Sequence, residues 1–566
     1  MPTTLEITTI ASTFKSNRSQ WIAVSLLLFV IWFGFLALRG LFAPDEGRYA
    51  QIPQAMVATG DWVTPRLNGF KYFEKPPLQY WATAVAFMVF GESEWSARLW
   101  PALTGFLGAL VIGWAGARTT GPQVGLLAGF IVATSLAYFM AGQYLTLDMG
   151  LCFFFTCALA FFVVAQHAAT SERSRTCWML LVWAGLAAAT LSKGLVGIVL
   201  PGLVIGLYIA LARDFRLIGR LAILPGTIVF LAITAPWFVF VQDRNAEFLH
   251  FFFVREHFER FTSPEHQRPG PWWYFIPILV AGTLPWTPIV LGAMWRSGLA
   301  AIRKRAAPER PAFNIDLVLL VWVATIFVFF SVSRSKLPAY ILPVLPALAL
   351  VAAREIANLD SRTIFRTALW SLAASGVLVL AALVLVGRAS PGDAALIERS
   401  MVWVYATFAA SIGGGIAAAL VAQRGNATIA CVVLGLSTPV AVLMASAGLR
   451  TIDEIHSSRQ IVRSAFGASP PRTDAIPFYS VDTFDHSVPF YLGRPVIMVA
   501  HRNELREGIA ADPGKFIESV EAFADLWRAR ADGFATMTHE RYDQLAREQL
   551  PMRIIARDAN RVIVSR

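Results

Sequence analysis

The sequence predicts an α-helical polytopic membrane protein with about thirteen spans and a small C-terminal α/β domain, and three observations predict it. Apolar stretches of roughly 18 or more residues recur, each long enough to cross a bilayer core of about 30 Å as a helix. Hydrophobic residues fill 56% of the 566 positions and charged residues only 15%, against about 25% charged in an ordinary soluble domain. The basic excess sits in alternate loops, whereas positions 450–566 hold 16 basic and 16 acidic residues.

The spans fall near 20–38, 97–117, 122–141, 148–168, 177–192, 194–212, 219–241, 272–295, 315–333, 336–353, 365–387, 401–422 and 427–448. The two that meet at Ser192–Lys193–Gly194 are short. Cytoplasmic loops carry an excess of Lys and Arg. Here that excess comprises Lys15 and Arg18; Arg118; Arg173 and Arg175; Arg213, Arg216 and Arg220; Arg296, Arg303, Lys304, Arg305 and Arg310; Arg354, Arg362 and Arg366; and Arg424. The pattern puts the N-terminus inside and, after thirteen crossings, the tail outside. The net charge of +11 is then a topology signal and not the footprint of a nucleic-acid partner. The first segment is longer than a signal-peptide core and reads as a retained anchor. Cys152, Cys157, Cys177 and Cys431 lie in or beside spans, so no disulfide framework holds the tail. There is no CxxC or HxxxH pair to suggest a metal site.

Three segments stand outside the bilayer. The first, 39–96, interleaves acids and aromatics, and the spacing of Tyr49, Ile52 and Met56 predicts a helix laying one apolar face on the membrane surface. The second, 243–271, carries His250, Arg255, Glu256, His257, Glu259, Arg260, His266 and Arg268. The third is the tail, 450–566. There Pro477–Val481, Pro495–Val499 and Phe534–Met537 read as strands, a helix follows His539, and Met552–Ala556 with Arg561–Val564 reads as a hairpin.

Five constellations can carry chemistry, each with a plainer reading beside it. Asp45 and Glu46 are adjacent acids at an apolar boundary; alternatively they cap a surface helix. Asp148, the only acid between Glu94 and Glu172, opens an apolar span, where an ionisable residue points to function and otherwise to a cap. In Glu74–Lys75–Pro76–Pro77 the prolines fix Lys75 on extended backbone, suited to a phosphate or merely to pairing with Glu74. Glu256 and Arg260 share a face at helical spacing, as surface ion pairs also do. His257 is a candidate metal ligand with Glu74 or Asp148. Lastly, Arg334 and Lys336 break the positive-inside pattern just before Tyr340, and a lipid phosphate is the anion that answers them, by catalysis or by headgroup binding alone. All five fall on the outer side.

These residues resemble a known family. Pro44–Asp45–Glu46–Gly47–Arg48–Tyr49, Gly60–Asp61–Trp62 and Tyr72–Phe73–Glu74–Lys75–Pro76 look like the first external loop of bacterial aminoarabinose transferases, relatives of the protein O-mannosyltransferases. Arg255–Glu256–His257–Phe258–Glu259–Arg260–Phe261 and Lys336–Leu337–Pro338–Ala339–Tyr340 match further along. The resemblance implies the type C glycosyltransferase fold. It also implies transfer of 4-amino-4-deoxy-L-arabinose from undecaprenyl phosphate to lipid A phosphates in the inner membrane, lowering affinity for polymyxin and other cationic peptides. The Pro76–Pro77 pair also suits relatives that use other sugars. Asp45, Asp148 and Glu46 are then the catalytic candidates. Lys75, Arg260, Lys336 and Tyr340 are candidates for the donor phosphate, and Tyr49, Tyr72 and Arg48 for the remaining substrate contacts. Glu74 and His257 are candidates for a divalent metal that the reaction does not strictly require. The alternatives are a polyprenyl-linked protein O-glycosyltransferase, a lipid flippase and a membrane-anchored sensor. A flippase is disfavoured because the spans are nearly free of acids.

The topology has a direct test. Alkaline phosphatase fused after Arg566 is expected to be active in intact cells. An inactive fusion, with an active cytoplasmic reporter at the same site, overturns the assignment.

Overall fold

A computed structural model describes residues 21–167, 169–259, 268–306, 313–358, 360–387, 394–467, 470 and 475–566. Among the described residues nine helices are long and apolar enough to cross a membrane. Two further spans are broken, Pro122–Thr134 with Leu136–Gly142 bent by 67° and Phe275–Gly282 with Thr287–Ala301 bent by 115°, which makes eleven. The two remaining expected spans coincide with shorter apolar helices, Trp21–Phe33 and Val196–Ala212. Length on the sequence therefore overstates the straight spans. The second bend has a local cause: Pro285 lies in the break, and proline cannot continue a helix's hydrogen-bond ladder.

The loop 39–96 is a folded unit. It contains helix Asp45–Thr59, a two-stranded hairpin (Arg66–Leu67 with Phe70–Lys71) and helix Leu78–Phe90. Asn68 and Gly69 form the hairpin turn with φ of 50° and 80°, the conformation Asn-Gly pairs favour in tight hairpins.

Helix Asp45–Thr59 corrects one expectation. Tyr49, Ile52 and Met56 are buried, but in a cluster shared with the C-terminal domain, including Ile461, Phe490, Val496 and Ile563. A one-sided apolar pattern states that a partner exists, not whether it is lipid or protein. The exposed apolar surface of this loop lies instead on helix Leu78–Phe90, where Val85, Met88, Val89 and Phe90 are all at least half exposed.

The tail carries a six-stranded sheet. Its order is Phe516–Ile517, Ile497–Val499, Phe478–Val481, Phe534–Thr538, Arg561–Ser565 and Arg553–Arg557. The first four strands pair parallel and the last two antiparallel. Helix His539–Arg547 follows the fourth strand in sequence, as read from the sequence. One face of the sheet packs on helix Val520–Ala529 through Phe523 and Trp527; the other contributes Phe478, Met498 and Ile563 to the cluster shared with the loop.

The docking is polar as well as apolar. Asn68 donates to the Val496 carbonyl at 2.9 Å and accepts from the Val496 N–H at 2.8 Å. Gly47 lets the backbones touch: a Cβ there would lie 2.6 Å from the His486 carbonyl carbon and the Ser487 nitrogen. Gly47→Ala is therefore expected to force the tail off this face, at a cost of about 1–3 kcal/mol for overpacking. Accelerated proteolysis between the last span and the sheet, with a lower Tm, is the measurement. Unchanged protection overturns it.

Candidate active site

The site is organised by a carboxylate that sequence reasoning counted as catalytic. Glu46 is fully buried. Its Oε1 accepts from Arg98 Nε at 2.7 Å and from the Leu145 N–H at 3.0 Å. Its Oε2 accepts from Arg98 Nη2 at 2.9 Å and from the Phe42 N–H at 3.0 Å. Arg39 pairs with it too. Burial raises the Glu46 carboxyl, and Arg39 and Arg98 more than reverse this, bringing it down to about 2. A group so saturated has no lone pair aimed at a substrate. Glu46, one of the three catalytic candidates, is thus held on both carboxylate oxygens by donors of the protein itself.

What it positions are two other candidates. Asp45 precedes it, and Leu145, three residues before Asp148, is tethered to it. Neither aspartate caps its helix, since Pro44 and Leu147 occupy the cap positions with no side-chain bond. Asp45, half exposed, instead accepts from Arg48 at 3.1 Å. Asp148 pairs with Lys193, whose ammonium lies 4.9 Å from the centre of the Tyr340 ring.

Arg48, Tyr49, Tyr72 and Glu74 join the same cluster. The Arg48 guanidinium lies 5.8 Å from the Tyr49 ring centre, and Tyr49 stacks on Tyr80. Burial raises the Tyr49 hydroxyl, and the carboxylates of Asp45, Glu74 and Asp148 raise it further. Burial raises Tyr72 as well, with Glu74 the next contributor. All three carboxylates thus act on Tyr49, and Glu74 acts on Tyr72 as well.

The cationic candidates are more dispersed. Lys75 donates to the Glu74 carbonyl at 2.8 Å. Lys336 is buried, donates to the Ser333 carbonyl and packs its stem on Gly270; among the described residues that one bond leaves two of the ammonium's three donors over. Arg260 lies outside the described residues, as does the His257 side chain. No three His, Cys, Asp or Glu side chains converge on a metal position among the described residues.

Lys193, Glu504 and His486 were not singled out by sequence. Lys193 had a signal, a cation at the end of an apolar span. The tail residues had none. Glu504 accepts from Arg48 Nε at 3.1 Å and Nη2 at 2.8 Å, and buried His486 pairs with it. The C-terminal domain thus holds Arg48 against Asp45.

Comparisons with known proteins identify relatives of this chain. Residues 19–252 match the family described as dolichyl-phosphate-mannose-protein mannosyltransferase, and residues 468–566 the aminoarabinose transferase C-terminal domain. An undecaprenyl phosphate-alpha-4-amino-4-deoxy-L-arabinose arabinosyl transferase of Pectobacterium carotovorum is 35% identical over 371 residues, 63% of this chain and 64% of the relative. The chain thus spans just under two thirds of that curated relative's length. The crystal structure of ArnT from Cupriavidus metallidurans bound to undecaprenyl phosphate matches with a TM-score of 0.89 at 36% identity, over 97% of this chain and 98% of that one. An oligosaccharyltransferase of Archaeoglobus fulgidus, at 13% identity and a TM-score of 0.51 over 93% of this chain and 70% of its own, shares the fold.

The Glu504 contacts generate a pH prediction. Burial raises its carboxyl, but His486 and Arg48 take it down to about 2. A depressed carboxylate stabilises above its unfolded value and loses that contribution as pH falls from about 4.5 towards 2. Glu504→Gln is expected to lower stability at neutral pH by about 1.5–3 kcal/mol and to shrink the drop in Tm between pH 6 and pH 3. An unchanged drop overturns the assignment.

Proposed function

We infer the reaction of this chain from one premise: it belongs to the aminoarabinose transferase family, and its membrane domain has the type C glycosyltransferase fold. It moves 4-amino-4-deoxy-L-arabinose from undecaprenyl phosphate to the phosphate groups of lipid A. It does so at the periplasmic face of a bacterial inner membrane. The observation that carries this reading is the match over 97% of the chain to a structure whose own ligand is undecaprenyl phosphate.

The chemistry suits the residues. The bond between the anomeric carbon and the donor phosphate oxygen breaks, and the phosphate leaves with the electron pair. A phosphate monoester needs no proton to leave, only fixed positive charge where negative charge develops. Lys75 supplies it, with Arg260 and Lys336 as further cations and Tyr340 beside Lys193. The acceptor is itself a phosphate, ionised near neutral pH, so a general base is nearly superfluous. Asp45 and Asp148 then act by orientation and charge, facing the oxocarbenium-like carbon and the sugar's amino group. Lys193 holds Asp148, and Arg48 holds Asp45. The added ammonium offsets lipid A phosphate charge, which lowers attraction for polymyxin and other cationic peptides.

A groove supports a lipid donor. Leu203, Leu207 and Leu211 face Val321, Val328 and Phe329 across about 670 Å³, with Ser333 and Arg334 at one end. An apolar slot that ends at a cation matches a polyprenyl chain that ends in a phosphate.

Mass spectrometry of lipid A from a deletion strain is expected to show loss of the aminoarabinose adduct, restored by the gene. Restoration by Lys75→Ala is expected to fail although the protein folds. Adducts unchanged by deletion overturn the reading, and full activity of the variant overturns the role of Lys75.

A further inference from the structure

Helix Val196–Ala212 borders two grooves. Its Leu203, Leu207 and Leu211 line the proposed donor groove, and on its other flank lies a second one, of about 440 Å³. Trp183 of helix Glu172–Lys193 lines this second groove with Gly202, Ile205 and Gly206, and with Phe215 and Ile218 of the linker to helix Ile223–Arg244. Glycine weakens a helix interior, so its presence there asks for a reason. At Gly197 the reason is close packing, because a Cβ would run into the Ala189 backbone; at Gly226 it would run into the Trp183 ring. At Gly202 and Gly206, one turn apart on ordinary helical backbone, a Cβ would meet no atom within 4 Å. These two glycines widen the groove and serve no contact between helices. Charge gathers at one end of it. Gly194 and Leu195 join helices Glu172–Lys193 and Val196–Ala212, and Met179 near the start of the first lines the groove with Ile209 near the end of the second. Positions 172–175 and 213–220, at that end, hold five arginines, Arg173, Arg175, Arg213, Arg216 and Arg220, against two acids, Glu172 and Asp214. In the linker's 3-10 helix Phe215–Arg220 the three-residue repeat lays Phe215 and Ile218 on one side, and Arg216 and Arg220 are exposed.

We propose that this groove binds an acyl chain of an anionic phospholipid whose phosphate lies against Arg216 and Arg220. An apolar slot takes a hydrocarbon chain, and the excess of guanidinium groups at its end selects the headgroup. Guanidinium forks match phosphate oxygens, and basic clusters beside membrane spans attract anionic lipids. A zwitterionic phospholipid brings the same chains but sets its own ammonium beside the arginines. The polyprenyl donor is the poorer occupant, because helix Val196–Ala212 stands between this groove and the one that ends at Arg334. The arginines also lie at the far end of helix Glu172–Lys193 from Lys193, which pairs with Asp148 in the candidate site. A chain bound here rests on the flank of the helix whose leucines wall the donor groove, and so braces that wall from behind. The site stands independently of the proposed reaction, because it is read by binding alone.

Native mass spectrometry of the full-length protein, released from detergent with added dioleoyl phosphatidylglycerol or dioleoyl phosphatidylcholine, tests this. Wild type is expected to retain the anionic lipid about tenfold more strongly than the zwitterionic one. Gly202→Leu combined with Gly206→Leu fills the groove from positions where a Cβ meets nothing, so the variant is expected to fold and to lose the retained lipid. Arg216→Gln combined with Arg220→Gln changes only exposed side chains. It is expected to erase the preference for phosphatidylglycerol and to keep the weaker binding of phosphatidylcholine. Undecaprenyl phosphate is expected to bind both variants as it binds wild type. Equal retention of the two phospholipids by wild type overturns the proposal, as does an unchanged preference in the arginine variant or unchanged retention in the glycine variant. A glycine variant that loses undecaprenyl phosphate and keeps phosphatidylglycerol assigns the groove to the polyprenyl chain and overturns the phospholipid as its occupant. Where the glycine variant does not fold, the arginine variant alone decides.

Discussion

The end of the membrane domain that carries the candidate site depends on one buried ion pair, Glu46 with Arg98. Arg98 donates to the Leu36, Arg39 and Gly40 carbonyls at 2.7–3.0 Å as well as to Glu46. The pair therefore ties four pieces of chain together: the end of the first span, the start of helix Asp45–Thr59, helix Glu94–Thr119 and the turn before Asp148. Two charges out of water are expensive, and such a pair contributes less to net stability than to a single fixed geometry. Under the proposed reaction that geometry is what the chemistry uses. Asp45 and Asp148 come from segments about a hundred residues apart, and the clamp sets where both begin.

A second group of charges extends the clamp into the tail. Asp453 accepts from the Gly40 N–H at 3.0 Å and pairs with Arg459, which reaches Glu94 at 3.4 Å. Tyr491 donates to Glu94 at 3.2 Å and accepts from the Leu41 N–H at 2.8 Å. Together with the Glu504–Arg48 contact, these bonds make the C-terminal domain one wall of the site. Most of them are buried or half-buried, where ionic contacts retain strength that solvent-exposed pairs lose.

The fold was largely legible because its strongest constraint is hydropathy. Runs of apolar residues long enough for a bilayer located the nine straight and two broken spans found among the described residues, but overcounted at Trp21–Phe33 and Val196–Ala212, which are shorter, and residue patterning gave the tail's main strands and its terminal hairpin. The short edge strand Phe516–Ile517 was too brief to register. The bends were illegible for a different reason: an apolar run of given length reads the same straight or broken. At the site, the loop carrying Asp45, Glu74 and Lys75 was recognisable, but burial is a property of the whole fold, so Glu46 could not be told from its neighbour Asp45. Glu504 meets Arg48 across 456 positions, and no local pattern reports that.

The shared core has a consequence for how the chain is made. The face formed by Tyr49, Ile52 and Met56 closes against residues such as Ile461 and Phe490, which lie about 400 positions later. At roughly 5–20 residues per second of synthesis, those partners arrive roughly 20–80 s after the face itself. For that interval an apolar helix stands without its protein partner beside a newly inserted span. The cluster that joins the loop to the C-terminal domain therefore closes only after the last part of the chain has been made.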